Sequence, residues 1–351
     1  MNIQVWGINE KVRQKCNIDL DKNPEWSIGR IVRQEKGLYQ VITELGEKNG
    51  IVSGKFRYQA ETISDYPAVG DYVVFCKTED NEQVVIQQII PRKSVFIRKA
   101  AGTGKQEQVV AANVDIVFLC MSLNQDFNLR RMERYLSIAW DSGATPVIVL
   151  TKSDLCQDMD ERKRQIEEIA IGVDILMTSG LIADGYEEVL PYIKEGKTIA
   201  FIGSSGVGKS TLINRLLGIE LLKTNGLRDD DKGRHTTTHR ELIMLPQGGM
   251  VIDTPGMREL GMWDAAEGVE KTFEDIEALT RGCKFSNCTH TKEKGCAILK
   301  AIEEGTLSKE RWQSYQKLLI ENSYMEDSES YLAAKKKKFK EIAKINKSIR
   351  Y

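Results

Sequence analysis

From Ser27 to about Arg98 the chain alternates apolar and polar positions in short runs: SIGRIVRQE, LYQVITELGE, GIVSGKFR, DYVVFCK and EQVVIQQII. Turn residues at Lys36-Gly37, Lys48-Asn49-Gly50 and Pro67-Ala68-Val69-Gly70 separate them. A period of two marks strands with one buried face, and successive short strands predict a small closed barrel. An SH3-like barrel reads almost the same, but five strands of this length favour the OB-fold.

From about Asn113 the pattern changes. Continuous apolar runs alternate with amphipathic stretches: VDIVFLCMS, a helix near Asn128 to Asp141, TPVIVL, another helix, VDILMTS, TIAFIG, a helix from Lys209, ELIMLP and GMVIDTPG. Strands buried on both faces read as unbroken apolar runs, so this part predicts a parallel or mixed sheet between helices. After about Phe273 the chain reads as helical and charged. The predicted architecture is a multidomain α/β protein with a β-barrel: residues 1–98 form the barrel, 99–272 an α/β domain, and 273–351 a mostly helical unit.

Composition adds little until its distribution is considered. The 351 residues are 41% hydrophobic with a formal net charge of −1, which excludes a uniformly basic nucleic-acid binder. Yet from Tyr331 to Tyr351 eight Lys and Arg residues stand against the single acid Glu341, including the run Lys335, Lys336, Lys337 and Lys338. A solvated terminal helix and an RNA-phosphate contact both account for such a tail; beside a possible OB barrel the second is preferred. No apolar run is long enough to span a membrane, and the start carries no secretory pattern, so a cytoplasmic protein without membrane contact is expected. Four of the seven cysteines are scattered without framework spacing, as free thiols would be.

The segment Gly203-Ser204-Ser205-Gly206-Val207-Gly208-Lys209-Ser210 fits GxxxxGK[ST], follows the strand TIAFI and opens the helix that continues through Thr211. Its glycines let backbone N–H groups close around phosphate oxygens, with the helix N-terminus adding its positive dipole end. Lys209 is expected to reach the β- and γ-phosphates, and the Ser210 hydroxyl to ligate Mg²⁺. Downstream, Asp253-Thr254-Pro255-Gly256 ends an apolar strand: Asp253 is suited to anchor the nucleotide-bound Mg²⁺ and Gly256 to turn its N–H toward the γ-phosphate. Between them Gly233-Arg234-His235-Thr236-Thr237-Thr238 has neither helical nor strand period and reads as a switch loop, with Thr237 the expected Mg²⁺ ligand.

Base choice is carried by Thr151-Lys152-Ser153-Asp154, a form of [NT]KxD at the end of TPVIVL. A carboxylate accepts both N1–H and the exocyclic amine of guanine, an arrangement adenine does not offer, while the Lys152 stem can cover the ring. Thr151 replaces the commoner asparagine and cannot make its amide contacts, so weaker base affinity is expected. Thr178-Ser179-Gly180 stands where backbone groups would complete the base pocket. These base motifs precede the phosphate loop, whereas ordinary small GTPases carry them last; the order is circularly permuted, which closely placed domain termini tolerate.

Cys283-x4-Cys288-x-His290-x5-Cys296 offers three thiolates and an imidazole, enough for a closed tetrahedral Zn²⁺ site with a structural role.

With AANVD before the first strand of the α/β part, TKSD, GSSGVGKS, GRHTTT, DTPGMREL and the Cys-x4-Cys-x-His-x5-Cys site in this order, the sequence resembles the ribosome small-subunit-dependent GTPase A (RsgA) family over nearly its whole length. The resemblance implies that GTP is the substrate, with GDP as product, that the small ribosomal subunit and its rRNA are the partner and stimulate hydrolysis, and that the role lies in late small-subunit maturation. A monomer is expected. The catalytic expectation is in-line attack of water on the γ-phosphorus, with Lys209 and Thr237 serving the transferred group. Met257 occupies the position where many GTPases carry a water-orienting glutamine, so intrinsic hydrolysis should be slow. His235 is the internal substitute, although a surface histidine fits the sequence equally well. An alternative class is a nucleotide-gated RNA-binding checkpoint in which hydrolysis only resets binding.

Overall fold

The computed structural model describes residues 1–16, 22–35, 37–78, 82–99, 107–218, 240–253 and 266–326. The chain divides into two compact units, Met1–Gly261 and Met262–Tyr351.

In the first unit a short helix α1 (Glu10–Gln14), capped by the Asn9 side chain, precedes the barrel. The barrel strands are β1 (Trp26–Glu35), β2 (Leu38–Thr43), β3 (Gly46–Val52), β4 (Tyr72–Lys77) and β5 (Gln83–Ile89). They close in the order β1-β2-β3-β5-β4 and back to β1, with β3 and β5 parallel and the other pairs antiparallel. A helix α2 (Gly54–Gln59) crosses between β3 and β4, its N-terminus capped by Ser53. This strand order is that of the OB-fold. Ile31, Val41, Val73, Phe75 and Ile86 are buried together as its core.

Two local expectations change here. GIVSGKFR is not a single strand: Ser53 ends β3 and caps α2. Lys48-Asn49-Gly50 does not turn either, since it lies within β3 and pairs with β2, Gln40 opposite Asn49 and Tyr39 opposite Gly50. The turn falls earlier, at Glu44-Leu45, where the Thr43 hydroxyl donates to the Gly46 carbonyl at 2.7 Å. Gly50 serves packing instead, because a Cβ there would lie 2.8 Å from the Val41 side chain.

A two-stranded sheet, β6 (Val95–Lys99) with β7 (Glu107–Ala112), leads into the α/β part. There the strands are β8 (Ile116–Ser122), β9 (Thr145–Thr151), β10 (Ile175–Met177), β11 (Thr198–Ile202), β12 (Arg240–Met244) and β13 (Met250–Asp253). Their order is β10-β9-β8-β11-β13-β12, parallel throughout except for the antiparallel pair β13–β12. Helices α3 (Leu129–Ser142), α4 (Met159–Glu167) and α5 (Lys209–Leu217) accompany these strands. Leu212, Ile213 and Leu216 of α5 pack with Phe118, Val149, Ile199 and Phe201, alternate residues of three strands. The alternation assigns this set to one face of the sheet.

Barrel and α/β sheet are one continuous hydrogen-bonded structure. The first half of β1 pairs with β4, and its far end pairs with β12 through Arg33↔Glu241 and Gln34↔Arg240. A register shift between Ile31 and Arg33 lets one strand serve both partners. The seam is reinforced by Arg30, which is fully buried: it donates to the Trp6 carbonyl at 2.6 Å and to the Thr198 hydroxyl of β11 at 2.6 Å.

In the second unit, α6 (Ala266–Thr272), α7 (Glu274–Arg281), α8 (Ala297–Glu303) and α9 (Lys309–Glu326) surround a small core that includes Phe273, Ile276 and Trp312. Arg311 ties it together, donating twice to Asp275, at 2.7 and 3.0 Å, and once to the Thr272 carbonyl at 3.1 Å.

Candidate functional site

The order in which strands join the α/β sheet reverses between β8 and β11: β9 and β10 follow β8 on one side, and β11 opens the other. Parallel sheets bind ligands at such a point, beyond the C-terminal ends of the strands. The phosphate loop lies there, joining β11 to α5. Gly203 is demanded by packing, since a Cβ would stand 2.5 Å from the Cys120 carbonyl of β8. Gly208 caps α5 at φ 104°, a left-handed conformation that other residues adopt at a cost. Ser204, Ser205, Gly206 and Val207 make the bend between them.

Lys209 is buried, and its ammonium folds over the loop, donating to the Gly203 carbonyl and, at 2.6 Å, to the Ser204 carbonyl. Ser210 and Thr211 stand in the first turn of α5, and the half-buried Ser210 hydroxyl has no hydrogen-bond partner among the described residues. A hydroxyl oxygen at a phosphate-loop helix start suits a hard cation, so the residues present fit Mg²⁺ at Ser210. Asp253 ends β13, next to β11 in the sheet. Thr237, His235 and Gly256 lie outside the described residues, as do Arg234, Met257 and the basic tail.

The base motif reaches the same end of the sheet on β9. Thr151 is buried, and its hydroxyl donates to the Val207 carbonyl inside the phosphate loop. Lys152 takes a left-handed conformation, φ 58° and ψ 39°, which turns the chain off the strand into a short 3₁₀ turn holding Asp154. The exposed Asp154 carboxylate accepts the hydroxyl of Ser179, which is buried; Ser179 Oγ also accepts the Leu181 N–H at 3.2 Å. Thr178 is anchored behind, its N–H on the Leu150 carbonyl and its carbonyl receiving the Ser153 N–H. Gly180 closes the pocket against α5, where a Cβ would stand 2.8 Å from the Thr211 side chain. The Ser179 role goes beyond the backbone contribution expected from the motif: its side chain orients the carboxylate.

Three further residues belong here that sequence reading passed over. Arg131, on the first turn of α3, donates to Ser204 Oγ at 2.7 Å and to Asp126 at 2.7 Å, with the Tyr135 hydroxyl 3.4 Å from the same serine. The only local signal was polar residues at the start of the helix after β8. Their meaning appears once β11 takes its place beside β8.

In the second unit Cys283, Cys288, His290 and Cys296 converge, with all ligand atoms within 4.8 Å of one another. The Cys283 and Cys296 sulfurs are 4.0 Å apart, and His290 Nδ1 lies 3.5 and 3.4 Å from them. A tetrahedral ion with bonds of about 2.3 Å to sulfur and about 2.1 Å to nitrogen requires separations of roughly 3.8 Å and roughly 3.6 Å. The donor set therefore fits Zn²⁺. His290 has φ 55°, which brings its ring back toward the thiolates, and the N–H groups of Ala297 and Leu299 approach Cys283 and Cys296 at 3.4 and 3.5 Å. Such N–H···S contacts orient thiolate ligands.

Together the sheet, the phosphate loop and a guanine-type base motif that precedes it define a circularly permuted P-loop GTPase, here with an OB barrel ahead of it and a Cys₃His unit behind. The RsgA GTPase family profile matches residues 89–263. The chain is 50% identical over 325 residues to the small ribosomal subunit biogenesis GTPase RsgA 2 of Lactiplantibacillus plantarum, covering 92% of this chain and 90% of that one. It is 45% identical to RsgA 1 of Oceanobacillus iheyensis over 97% of this chain and 96% of that one. Among solved structures, YjeQ from Thermotoga maritima aligns with a TM-score of 0.62 at 29% identity, covering 85% of this chain and 98% of that one. YloQ, described as a circularly permuted GTPase, aligns at 0.61 with 29% identity, covering 85% of this chain and 95% of that one. This chain belongs to the RsgA GTPase family, and it is a GTP-hydrolysing enzyme.

Proposed function

We propose that the chain hydrolyses GTP during biogenesis of the small ribosomal subunit, stimulated by that particle late in its maturation. The observation that carries this reading is the joining of base motif and phosphate loop at one end of the sheet, through Thr151 and Val207. One nucleotide can then lie between Asp154, which takes the guanine, and the loop N–H groups, which take the phosphates.

In this reading the Lys209 ammonium leaves the loop carbonyls for the β- and γ-phosphates, where its charge stabilises the transferring group. Ser210 and Thr237 would hold Mg²⁺, with Asp253 behind them; the ion would supply positive charge to offset that of the phosphates. Gly256 offers its N–H to the γ-phosphate. His235 accepts a hydrogen bond from the attacking water, a task Met257 cannot perform. Zn²⁺ on Cys283, Cys288, His290 and Cys296 holds the second unit in shape, and the OB barrel and the lysine tail take up rRNA phosphates. The protein works in the cytoplasm, where no membrane contact is required of it; among the described residues no helix is long and apolar enough to cross one.

The test is GTP turnover with and without small ribosomal subunits over a series of salt concentrations. Stimulation that declines steeply with salt supports an rRNA-bound activator. Lys209→Ala should lower stimulated turnover roughly 100-fold or more, the scale of losing a charge-stabilising donor. Absence of stimulation at every salt concentration overturns the ribosomal assignment, and an unchanged stimulated rate in His235→Ala removes that residue from catalysis.

A further inference from the structure

A second concave site lies at the other end of the same sheet. It is a cavity of about 370 Å³ where α1, the exit of β5 and the starts of β8 and β11 meet. Asp115 immediately precedes β8 and Lys197 precedes β11, whereas the phosphate loop follows β11. The run from Lys197 to Gly203 separates the two sites by about 20 Å at the usual rise of an extended strand. Nothing in the GTP reaction uses this cavity.

Among the described residues its charge is unbalanced. Lys11, Lys15, Lys93 and Lys197 line it together with the carboxylates of Asp115 and Glu195. Asp115 is already committed: one oxygen receives Lys93 at 2.6 Å and Lys197 at 3.0 Å, the other receives the Thr198 N–H at 2.9 Å. Lys11 on α1 and Lys15 at its C-cap, four positions apart and both exposed, have no ion-pair partner among the described residues. Burial pushes the Lys93 ammonium below its ordinary pKa despite Asp115.

The remaining wall is of a different kind. Val12 and Pro91 present an apolar surface beside the lysines, backed by the buried Ile90 and Tyr72. The frame is fixed: Asn113, at φ 55° and buried, accepts the Lys93 N–H at 3.0 Å and donates to the Gly70 carbonyl at 3.1 Å. A preformed concavity with one apolar wall and a few converging cations has the make-up of a small-molecule site, and such sites start at about 300 Å³. We propose that this cavity binds a small organic phosphate with a flat body, of the size of a nucleoside monophosphate, with phosphate on Lys11 and Lys15 and the body against Val12 and Pro91. Bound there, the ligand touches α1, the barrel exit and the base of the GTPase sheet at once, and so stiffens the seam between barrel and GTPase.

The full-length protein, saturated with GDP and Mg²⁺ so that the phosphate loop is filled, is titrated calorimetrically with 5′-AMP, which lacks the guanine needed to displace GDP. One binding event is expected, weakened at least tenfold in Lys11→Gln/Lys15→Gln, whose GDP affinity stays unchanged. In the unaltered protein, hydrogen exchange should slow in peptides covering residues 4–16 and 90–97 when AMP is added. That measurement stands even if the double variant folds poorly. Absence of AMP binding to the GDP complex, equal binding in the double variant, or exchange protection confined to other peptides overturns the proposal. So does a lysine-dependent event seen with oligouridylate but not with AMP, which would make the cavity an RNA-backbone contact.

Discussion

The hydroxyl of Thr151, at the end of β9, donates its hydrogen bond to the carbonyl of Val207 in the middle of the phosphate loop. A residue of the base motif thereby sets the position of a residue of the phosphate site, although 56 positions separate them. The amide contacts of an asparagine are lost at this position, but the mechanical link is kept. Thr151→Val preserves shape and removes the donor, stranding a buried carbonyl at a cost of about 1–3 kcal/mol. GTP and GDP affinities should both fall about tenfold, which corresponds to about 1.4 kcal/mol. Thr151→Ser should restore them. Equilibrium titration with fluorescent GTP and GDP analogues checks this, and unchanged affinity in the valine variant would deny the link any role.

Arg131 acts on the same loop from the other side. Its guanidinium bridges Asp126 and Ser204 Oγ, both at 2.7 Å, so α3 holds the second residue of the phosphate loop. Arg131→Ala should release Ser204 and lower kcat by several-fold or more, with KM for GTP moving less, because a misplaced loop harms the transition state most. Arg131→Lys should recover much of the loss, as both contacts come from the one nitrogen Nη1, for which an ammonium with its three donors can stand in. Steady-state kinetics with saturating small subunits provides the measurement; equal losses in both variants with an altered melting temperature would reduce Arg131 to a structural residue.

What could be read from the sequence was what local spacing encodes. The phosphate loop, the end of β9 and the four metal ligands are short motifs whose geometry follows from neighbouring residues. The barrel strands were legible through their alternation, whereas Lys48-Asn49-Gly50, read as a turn, lies in β3 because pairing with β2 outweighs a local turn preference. The Arg131–Ser204 contact spans 73 positions and the Arg30–Thr198 contact 168, and no periodicity reports on such pairs. The merging of barrel and α/β sheet through β1 and β12 was hidden for the same reason. Thr237, His235 and Gly256, read from the switch motifs, lie outside the described residues.

That merging makes Arg30 a test of the seam. The side chain is fully buried, lies 4.7 Å from the Tyr72 ring centre, and donates both to the N-terminal segment and to β11. Arg30→Met keeps most of the volume but leaves the Trp6 carbonyl and the Thr198 hydroxyl short of a donor, a loss of about 1–3 kcal/mol. The melting temperature should drop by about 2–10 °C at this domain size. Differential scanning calorimetry reads the change, and hydrogen exchange should increase in β1 and β11 together. Faster exchange in β1 alone would mean that the arginine serves the barrel and not the seam.

Metal removal separates the two units by function. Cys296 is both a candidate ligand and the N-cap of α8, its sulfur accepting the Leu299 N–H, and the Ala297 N–H points at Cys283. Withdrawing the ion leaves three thiolates crowded within 4.8 Å, which repel until they protonate or move apart, and α8 loses its start. Elemental analysis should therefore find zinc with the unaltered chain and near none with Cys288→Ser. The substitution should also open residues 283–296 to limited proteolysis. Intrinsic GTP turnover should stay within about twofold, since Thr151, Asp154, Lys209 and Ser210 all lie in the unit Met1–Gly261 and surface changes elsewhere rarely disturb a separate core. Subunit-stimulated turnover should fall much further if the metal unit is needed for docking. Full zinc retention in Cys288→Ser would remove that residue from the ligand set, and equal loss of intrinsic and stimulated rates would show that the metal supports the GTPase unit itself.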